Sequence, residues 1–293
     1  MIPVLNEEEA VEEVVQGFPE EYRGRELDIF VIDGGSTDST VEKAEDAGAT
    51  VLEQRLSGGK GNGVKEALAE VEADIYVMID GDGTYDPGEV GRLLDPLIDG
   101  EAEHVVGRRV ERDPGSIPRL NRVGNSLFNW VTRLSTGKEI HDMLSGYRAF
   151  TRYSLDFTDL TRPGFGIETE MTFSAVENHV PIREVEISYR EREGESKLHP
   201  LSDGWRIINT IIWSIRDMNP LKFFSTASIV FFLLAVYPLY LTAHQYLIYG
   251  RIQDTAPGLL AGVLVIIGIQ LMILGMLSDQ VKSLEKRLKE QER

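Results

Sequence analysis

Two aspartates, Asp80 and Asp82, stand in the run Asp80-Gly81-Asp82-Gly83-Thr84-Tyr85-Asp86-Pro87, directly after the apolar stretch Ile75-Tyr76-Val77-Met78-Ile79. Carboxylates at i and i+2 on a chain that glycine lets fold tightly can converge on one hard divalent cation and leave positions for substrate oxygens. The departure of an anionic diphosphate needs such a cation. The same residues also suit a solvated turn, which Asp-Gly pairs favour. An EF-hand is excluded by the spacing and the missing terminal Glu. A second acidic element, Phe30-Val31-Ile32-Asp33-Gly34-Gly35-Ser36-Thr37-Asp38, delivers Asp33 into a glycine turn, with Ser36 or Asp38 available as an N-cap. Neither glycine pattern fits GxGxxG or a Walker A loop, so dehydrogenase and P-loop chemistry lose their best support.

A chain with 48 Asp and Glu against 30 Lys and Arg, net charge -18, has to gather cations locally if it is to bind phosphate. Arg108, Arg109, Arg112, Arg119 and Arg122 form such a cluster. The alternative is a solvated face on which Glu111 and Asp113 are their partners. The overall charge argues against a nucleic-acid partner, and the acidic, lysine-poor composition points to adaptation to high salt. With no cysteine there is no disulfide framework and no Cys-based metal site or nucleophile. The five histidines lack metal-ligand spacing, and His141 and Asp142, as sequence neighbours, are not expected to face each other.

The elements that must position these groups follow from the apolar runs. Residues 27–32, 50–52 and 75–79 read as strands, and residues 40–47 and 63–71 as helices between them. That alternation predicts an α/β domain with a mostly parallel central sheet and right-handed crossovers. In such sheets ligands sit at the carboxyl ends of the strands, where both acidic elements lie. Ile2-Pro3-Val4-Leu5 is an apolar stub that breaks at Asn6, after which Glu7-Glu8-Glu9 opens a helix, as the helix dipole favours. No secretory leader is evident at Met1. The first strand is expected to be short, which would deprive the sheet of part of a central strand.

Residues 223–249 and 256–278 carry no formal charge, and each exceeds the ~20 residues that cross a hydrocarbon core of ~30 Å. They predict a two-helix transmembrane hairpin. Arg206, Arg216 and Lys222 precede it, Lys282, Lys286, Arg287, Lys289 and Arg293 follow it, and its linker holds only Arg251, so both ends are expected in the cytoplasm. Residues 201–222 are expected to form an amphipathic interfacial helix or an ordinary core helix. Within the tail, 279–293, and just before it, Leu277, Val281, Leu284 and Leu288 form a short heptad seam that suits either a homo-oligomer or the membrane surface.

Ile2-Pro3-Val4-Leu5-Asn6-Glu7-Glu8, Asp33-Gly34-Gly35-Ser36-Thr37-Asp38, Gly59-Lys60-Gly61, Asp80-Gly81-Asp82 and Gly194-Glu195-Ser196-Lys197-Leu198 occur in the order seen in family 2 glycosyltransferases. The chain resembles their dolichyl-phosphate (polyprenyl-phosphate) hexosyltransferase branch over residues 1–198. The resemblance implies a GT-A, Rossmann-like nucleotide-sugar domain over residues 1–200. It implies that Pro3, Leu5, Glu7 and Asp33 line the nucleoside pocket, that Lys60 approaches the nucleotide, and that Asp80 and Asp82 hold Mg2+ or Mn2+. It places Arg109 near the reacting phosphates and Arg192, Ser196 and Lys197 on the lipid phosphate; Arg109 and Arg122, from the arginine cluster, are counted with them as acceptor-phosphate residues. Asp142-Met143-Leu144-Ser145-Gly146-Tyr147-Arg148 and Gly166-Ile167-Glu168-Thr169-Glu170 match further family segments.

The implied partners are a nucleotide-diphosphate sugar, a polyprenyl or dolichyl phosphate and the lipid bilayer. Catalysis would center on Asp82, Arg109 and Arg192. Two departures stand out: Gly34 takes the place of an aspartate, and Thr84 that of a glutamine that assists the metal in some relatives. Two rival functions remain at this level, a family 2 transferase with an oligosaccharide or polysaccharide acceptor, and a membrane-anchored nucleotide-sugar sensor without catalysis.

Overall fold

The computed structural model describes residues 1–55, 59–111, 126, 140–158, 160, 166–190, 216 and 219–291. The chain divides into two compact units, Met1–Thr210 and Ile211–Arg293. In chain order the first contains β1 (Ile2–Val4), α1 (Val11–Gln16), β2 (Glu21–Tyr22), β3 (Arg25–Glu26), β4 (Phe30–Asp33), α2 (Thr40–Asp46), β5 (Thr50–Glu53), α3 (Lys60–Glu70), β6 (Ile75–Met78), α4 (Val90–Ile98), β7 (His104–Glu111), β8 (Arg148–Thr151), α5 (Arg152–Asp156), α6 (Ile167–Glu177) and β9 (Ile182–Tyr189).

β1, β4 and β5 pair in parallel in the order β1-β4-β5, and β6, β8, β7 and β9 pair in the order β6-β8-β7-β9. Met1 joins the two sets. Its amine donates to Val77 O at 2.9 Å and its carbonyl accepts from Ile79 N at 3.2 Å, a parallel bond pattern that sets β1 beside β6. The sheet therefore reads β5-β4-β1-β6-β8-β7-β9, mostly parallel as expected. Only β8 among these strands runs against the rest, antiparallel to both β6 and β7. β1 is a central strand of three residues, in keeping with the short first strand the sequence predicts. Residues 27–29, read as strand from their apolar character, lie outside β4.

Period-two alternation sorts side chains onto two faces. Val31 packs in a core with Val11, Val14, Leu93, Leu94 and Val105, while its neighbour Ile32 packs in another with Val64, Leu68, Met78, Phe150 and Met171. Helix α4 shows the local logic: Val90, Leu93, Leu94 and Leu97 recur at helical spacing and all are buried. α1, α2 and α4 cover one face and α3 and α6 the other, so the strand ends remain the place where loops gather.

The second unit contains α7 (Pro220–Tyr249) and α8 (Ala256–Gln291), of 30 and 36 residues. Both are long and apolar enough to cross a membrane, over Pro220–Tyr249 and Ala256–Leu284, with mean hydropathy 1.9 and 2.6. The helices exceed the uncharged runs at their outer ends. Pro220 at a first-turn position starts α7, and α8 continues through Asp279 into the charged tail. Gly250, at φ +65°, caps α7 in the left-handed region. Gln245 Oε1 accepts from Gln253 N and Asp254 N, and Asp254 Oδ1 caps Ala256 N. Small residues bring the helices together: a Cβ on Gly268 would lie 2.8 Å from Phe232 Cε1, and Ser228 Oγ donates to Gly268 O at 2.7 Å. Pro238, tolerated in α7, is buried. Of residues 201–222, expected to form an interfacial or a core helix, 201–215, 217 and 218 lie outside the described residues, and Pro220, Leu221 and Lys222 belong to α7 instead.

Candidate active site

The loop after β6 carries Asp80 and Asp82, and its shape is fixed from below and beside. Gly81 sits against β1 so closely that a Cβ would lie 2.5 Å from Val4 Cγ1. Thr84, itself buried, donates its hydroxyl to Asp82 Oδ1 at 2.7 Å and its N–H to the same oxygen at 3.3 Å. The threonine that departs from the family's glutamine thus orients one of the two aspartates. Gly146 faces the other: a Cβ there would stand 2.3 Å from Asp80 Oδ2. This glycine leaves a cradle that the Asp80 carboxylate fills.

Lys60, at the start of α3, pairs simultaneously with Asp80 and with Glu168 on α6. Burial pushes the Asp80 carboxyl up, Glu168 and Asp82 add to that, and Lys60 opposes it. Burial also pushes Glu168 up, but Lys60 and Arg148 outweigh it and hold it below the usual range. Burial depresses Lys60, and the two carboxylates more than compensate, so it stays charged. Beneath this triad lies Arg148, whose side chain is wholly buried. Its donors go to Ser145 O, Met143 O, Glu168 O and Thr172 Oγ1, neutral oxygens that tie the 143–145 segment to α6. Burial lowers its pKa, and Glu168, Asp142 and Asp80 pull it back.

Arg109 lies on β7 and is committed to Asp142. Its Nε donates to Asp142 Oδ2 at 2.8 Å, its Nη2 to Oδ1 at 2.7 Å, and its backbone N to Oδ2 at 3.0 Å. This is a bidentate pair with side chains only 3% and 5% exposed, and Tyr189 lies 5.2 Å from the guanidinium carbon. Tyr189 links it to the acidic loop: burial raises the phenol's pKa, Asp82 and Asp80 add, and Arg109 opposes. Tyr85 meets Tyr189 edge-on and accepts from Gly146 N at 2.9 Å. Arg190 N donates to Thr84 O at 2.9 Å, which ties the residue after β9 to the Asp82 loop.

The residues expected around the nucleoside lie on the adjoining strand ends. Pro3 is in β1 and Leu5 just past it is 46% exposed. Glu7 N donates to Thr40 Oγ1 at 2.9 Å. Asp33 is buried, and its carboxylate accepts from Gly35 N and Ser36 N, both at 3.1 Å, closing its own turn. Asn6, at φ +53°, accepts from Thr37 N and so stitches the two loops together. Asp38 rather than Ser36 takes Thr40 N at the start of α2. His141 pairs with Glu184 across 2.8 Å. Arg112, Arg119, Arg122, Arg192, Ser196 and Lys197 lie outside the described residues.

Among the described residues no group of three or more acidic or histidine side chains is placed to hold a metal. Asp80 and Asp82, electrostatically coupled and each oriented by its own neighbour, fit a cation that takes its remaining ligands from a diphosphate and water. Sequence reasoning left Glu168, Arg148 and Gly146 out of the site. Their segments were legible as family matches, but their convergence on Asp80 was not.

A largely parallel α/β sheet that presents an Asp-x-Asp loop at its strand ends defines a GT-A glycosyltransferase. The model of glycosyl transferase family 2 matches residues 1–157, and the chain belongs to that family and is a glycosyltransferase. Glycosyltransferase AglJ of Haloferax volcanii is 37% identical over 292 residues, covering 98% of this chain and 94% of the relative. A dolichyl-phosphate hexose transferase of the same organism is 33% identical over 210 residues, covering 71% and 89%. These sources are in keeping with the acidic, lysine-poor composition. Among solved structures, glucosyl-3-phosphoglycerate synthase from Mycobacterium tuberculosis with Mn2+, UDP-glucose and phosphoglyceric acid aligns with TM-score 0.62 at 26% identity, covering 73% of this chain and 78% of that one.

Proposed function

We propose that this chain transfers a hexose from a nucleoside-diphosphate sugar to a polyprenyl phosphate in the membrane, giving a lipid-phosphate-linked sugar. The observation that carries the reading is the joining, in one chain, of the Asp80–Asp82 loop to two helices long enough to cross a bilayer. It is supported by the resemblance to a dolichyl-phosphate hexose transferase over 71% of the chain. In this reading residues 1–200 form the catalytic domain, the segment from 201 up to the start of α7 lies at the interface, and the catalytic domain and C-terminus face the cytoplasm. The flanking Arg and Lys residues support that orientation.

Pro3, Leu5, Glu7 and Asp33 shape the nucleoside side of the site, and Asp80 and Asp82 are the residues that would hold Mg2+ or Mn2+. When bound, such an ion supplies charge neutralisation on the departing nucleoside diphosphate. Arg109, buried and paired with Asp142, holds the Asp142 segment beside Tyr189, and Arg122, Arg192, Ser196 and Lys197 are read as the residues for the acceptor phosphate. A monoalkyl phosphate has its second pKa near ~6, so it is largely a dianion at neutral pH and no strong general base is needed. The protein's task is to align that oxygen for in-line attack on the anomeric carbon, which inverts its configuration in a single displacement.

The test is incubation of membranes holding the chain with radiolabelled UDP- and GDP-sugars and polyprenyl phosphate, with and without EDTA. Label entering a mild-acid-labile lipid only when metal is present is the expected result. Saturable nucleotide binding with no lipid product would favour a sensor, and label in an oligosaccharide-linked lipid would favour another acceptor. Asp82→Ala is expected to lower turnover by about 10²-fold or more while the protein still fractionates with membranes.

A further inference from the structure

Lys60 Nζ is paired with Asp80 Oδ1 and Glu168 Oε1 at the same time. Asp80 Oδ1 therefore already has a cation, on the very carboxylate read above as a metal ligand. A lysine ammonium and a divalent ion cannot share one carboxylate oxygen closely without mutual repulsion. Lys60 has somewhere else to go: the same Nζ is already paired with Glu168 Oε1, on a side chain only 15% exposed. Arg148 cannot take over the role on Asp80, because its donors are spent on carbonyls and a hydroxyl.

We propose that Lys60 is a resident counter-cation that occupies Asp80 in the free protein and retires to Glu168 when donor and ion arrive. Lys60 thereby weakens binding of a bare ion and couples metal loading to the diphosphate, whose negative charge offsets the repulsion. This rests on the reading of Asp80 and Asp82 as metal ligands. It makes Lys60 and Glu168 positioning residues for the ion rather than ligands of it.

Mn2+ binding to the detergent-solubilised full chain, without nucleotide, tests it through the loss of the free-ion EPR signal. Lys60→Met is expected to bind Mn2+ about tenfold more tightly than the parent. The double variant Lys60→Met/Glu168→Gln keeps the parent's local net charge and avoids leaving Glu168 unpaired, and it is expected to show a similar gain. Lys65→Met removes a cation one turn along the same helix, where Lys65 pairs with buried Glu170 at 3.4 Å, and is expected to stay within about twofold. An unchanged Mn2+ affinity in the double variant, or an equal gain in Lys65→Met, would overturn the proposal while leaving the aspartates as ligands. Parent-like Mn2+ binding in Asp82→Ala would instead remove the metal reading and this inference with it.

Discussion

The side chains around Asp80 depend on one another through contacts with no sequence spacing to announce them. Asp80 and Asp82 were legible because both lie on one loop after an apolar run. Lys60 lies 20 positions before Asp80 and Glu168 lies 108 beyond Lys60, and nothing in periodicity links them. Arg109 was legible as a phosphate-facing arginine, yet its fork is filled by Asp142, 33 positions away. Gly146 gives the sharpest prediction at this scale. In Gly146→Ala the new methyl would fall 2.3 Å from Asp80 Oδ2, so the carboxylate must rotate away from its present seat. A displacement of that size is expected to cut kcat/KM by about 10²-fold, while circular dichroism of the variant matches the parent.

Strands and helices differ in how openly their residues declare them. β4, β5 and β6 hold short apolar runs, and α7 and α8 contain the longest uncharged runs in the chain, so sequence found them. β8 opens on the buried Arg148, and β7 mixes His104, Arg108 and Arg109 with valines, so neither offers a clean apolar run. Burial against neighbours, not composition, makes them strands. His104 at the head of β7 is buried against Phe150, and its Nε2 has no hydrogen-bond partner among the described residues.

Burial, aided by Arg148, lowers the His104 pKa from 6.5 to about 3. The unfolded chain takes up a proton below about 6.5 and the folded chain does not until about 3, so His104 costs no stability above 6.5 and progressively more as pH falls toward 3. Relative to His104→Gln, the parent should lose up to ~1.4 kcal/mol per pH unit in that window. Denaturant titrations of both proteins at pH 7, 6 and 5 would show it as a diverging difference. In the hairpin, Gly268→Leu would push atoms into Phe232 and disturb the Ser228 bond. Overpacking of this kind costs about 1–3 kcal/mol, expected as a lower melting temperature in detergent.

At the scale of the whole molecule, the proposed function asks an acidic protein of net charge -18 to handle two phosphate-bearing substrates. Of the cations in its described site, Arg109 is paired with Asp142, Lys60 with Asp80 and Glu168, and Arg148 is spent on carbonyls and a hydroxyl, so the charge for the phosphates is left to a bound ion in the proposed reaction. The two-part organisation was legible because uncharged runs long enough to span a bilayer are rare in a soluble core. Which hexose and which base the donor carries was not legible, because pocket shape decides both.

In the proposed reaction the lipid phosphate itself takes the glycosyl group. A donor labelled with 14C in the sugar and 32P in the β-phosphate, given to purified chain with polyprenyl phosphate, tests it directly. The expected result is 14C in the lipid and all 32P in the released nucleoside diphosphate. Finding 32P in the lipid, or no 14C there, would contradict it.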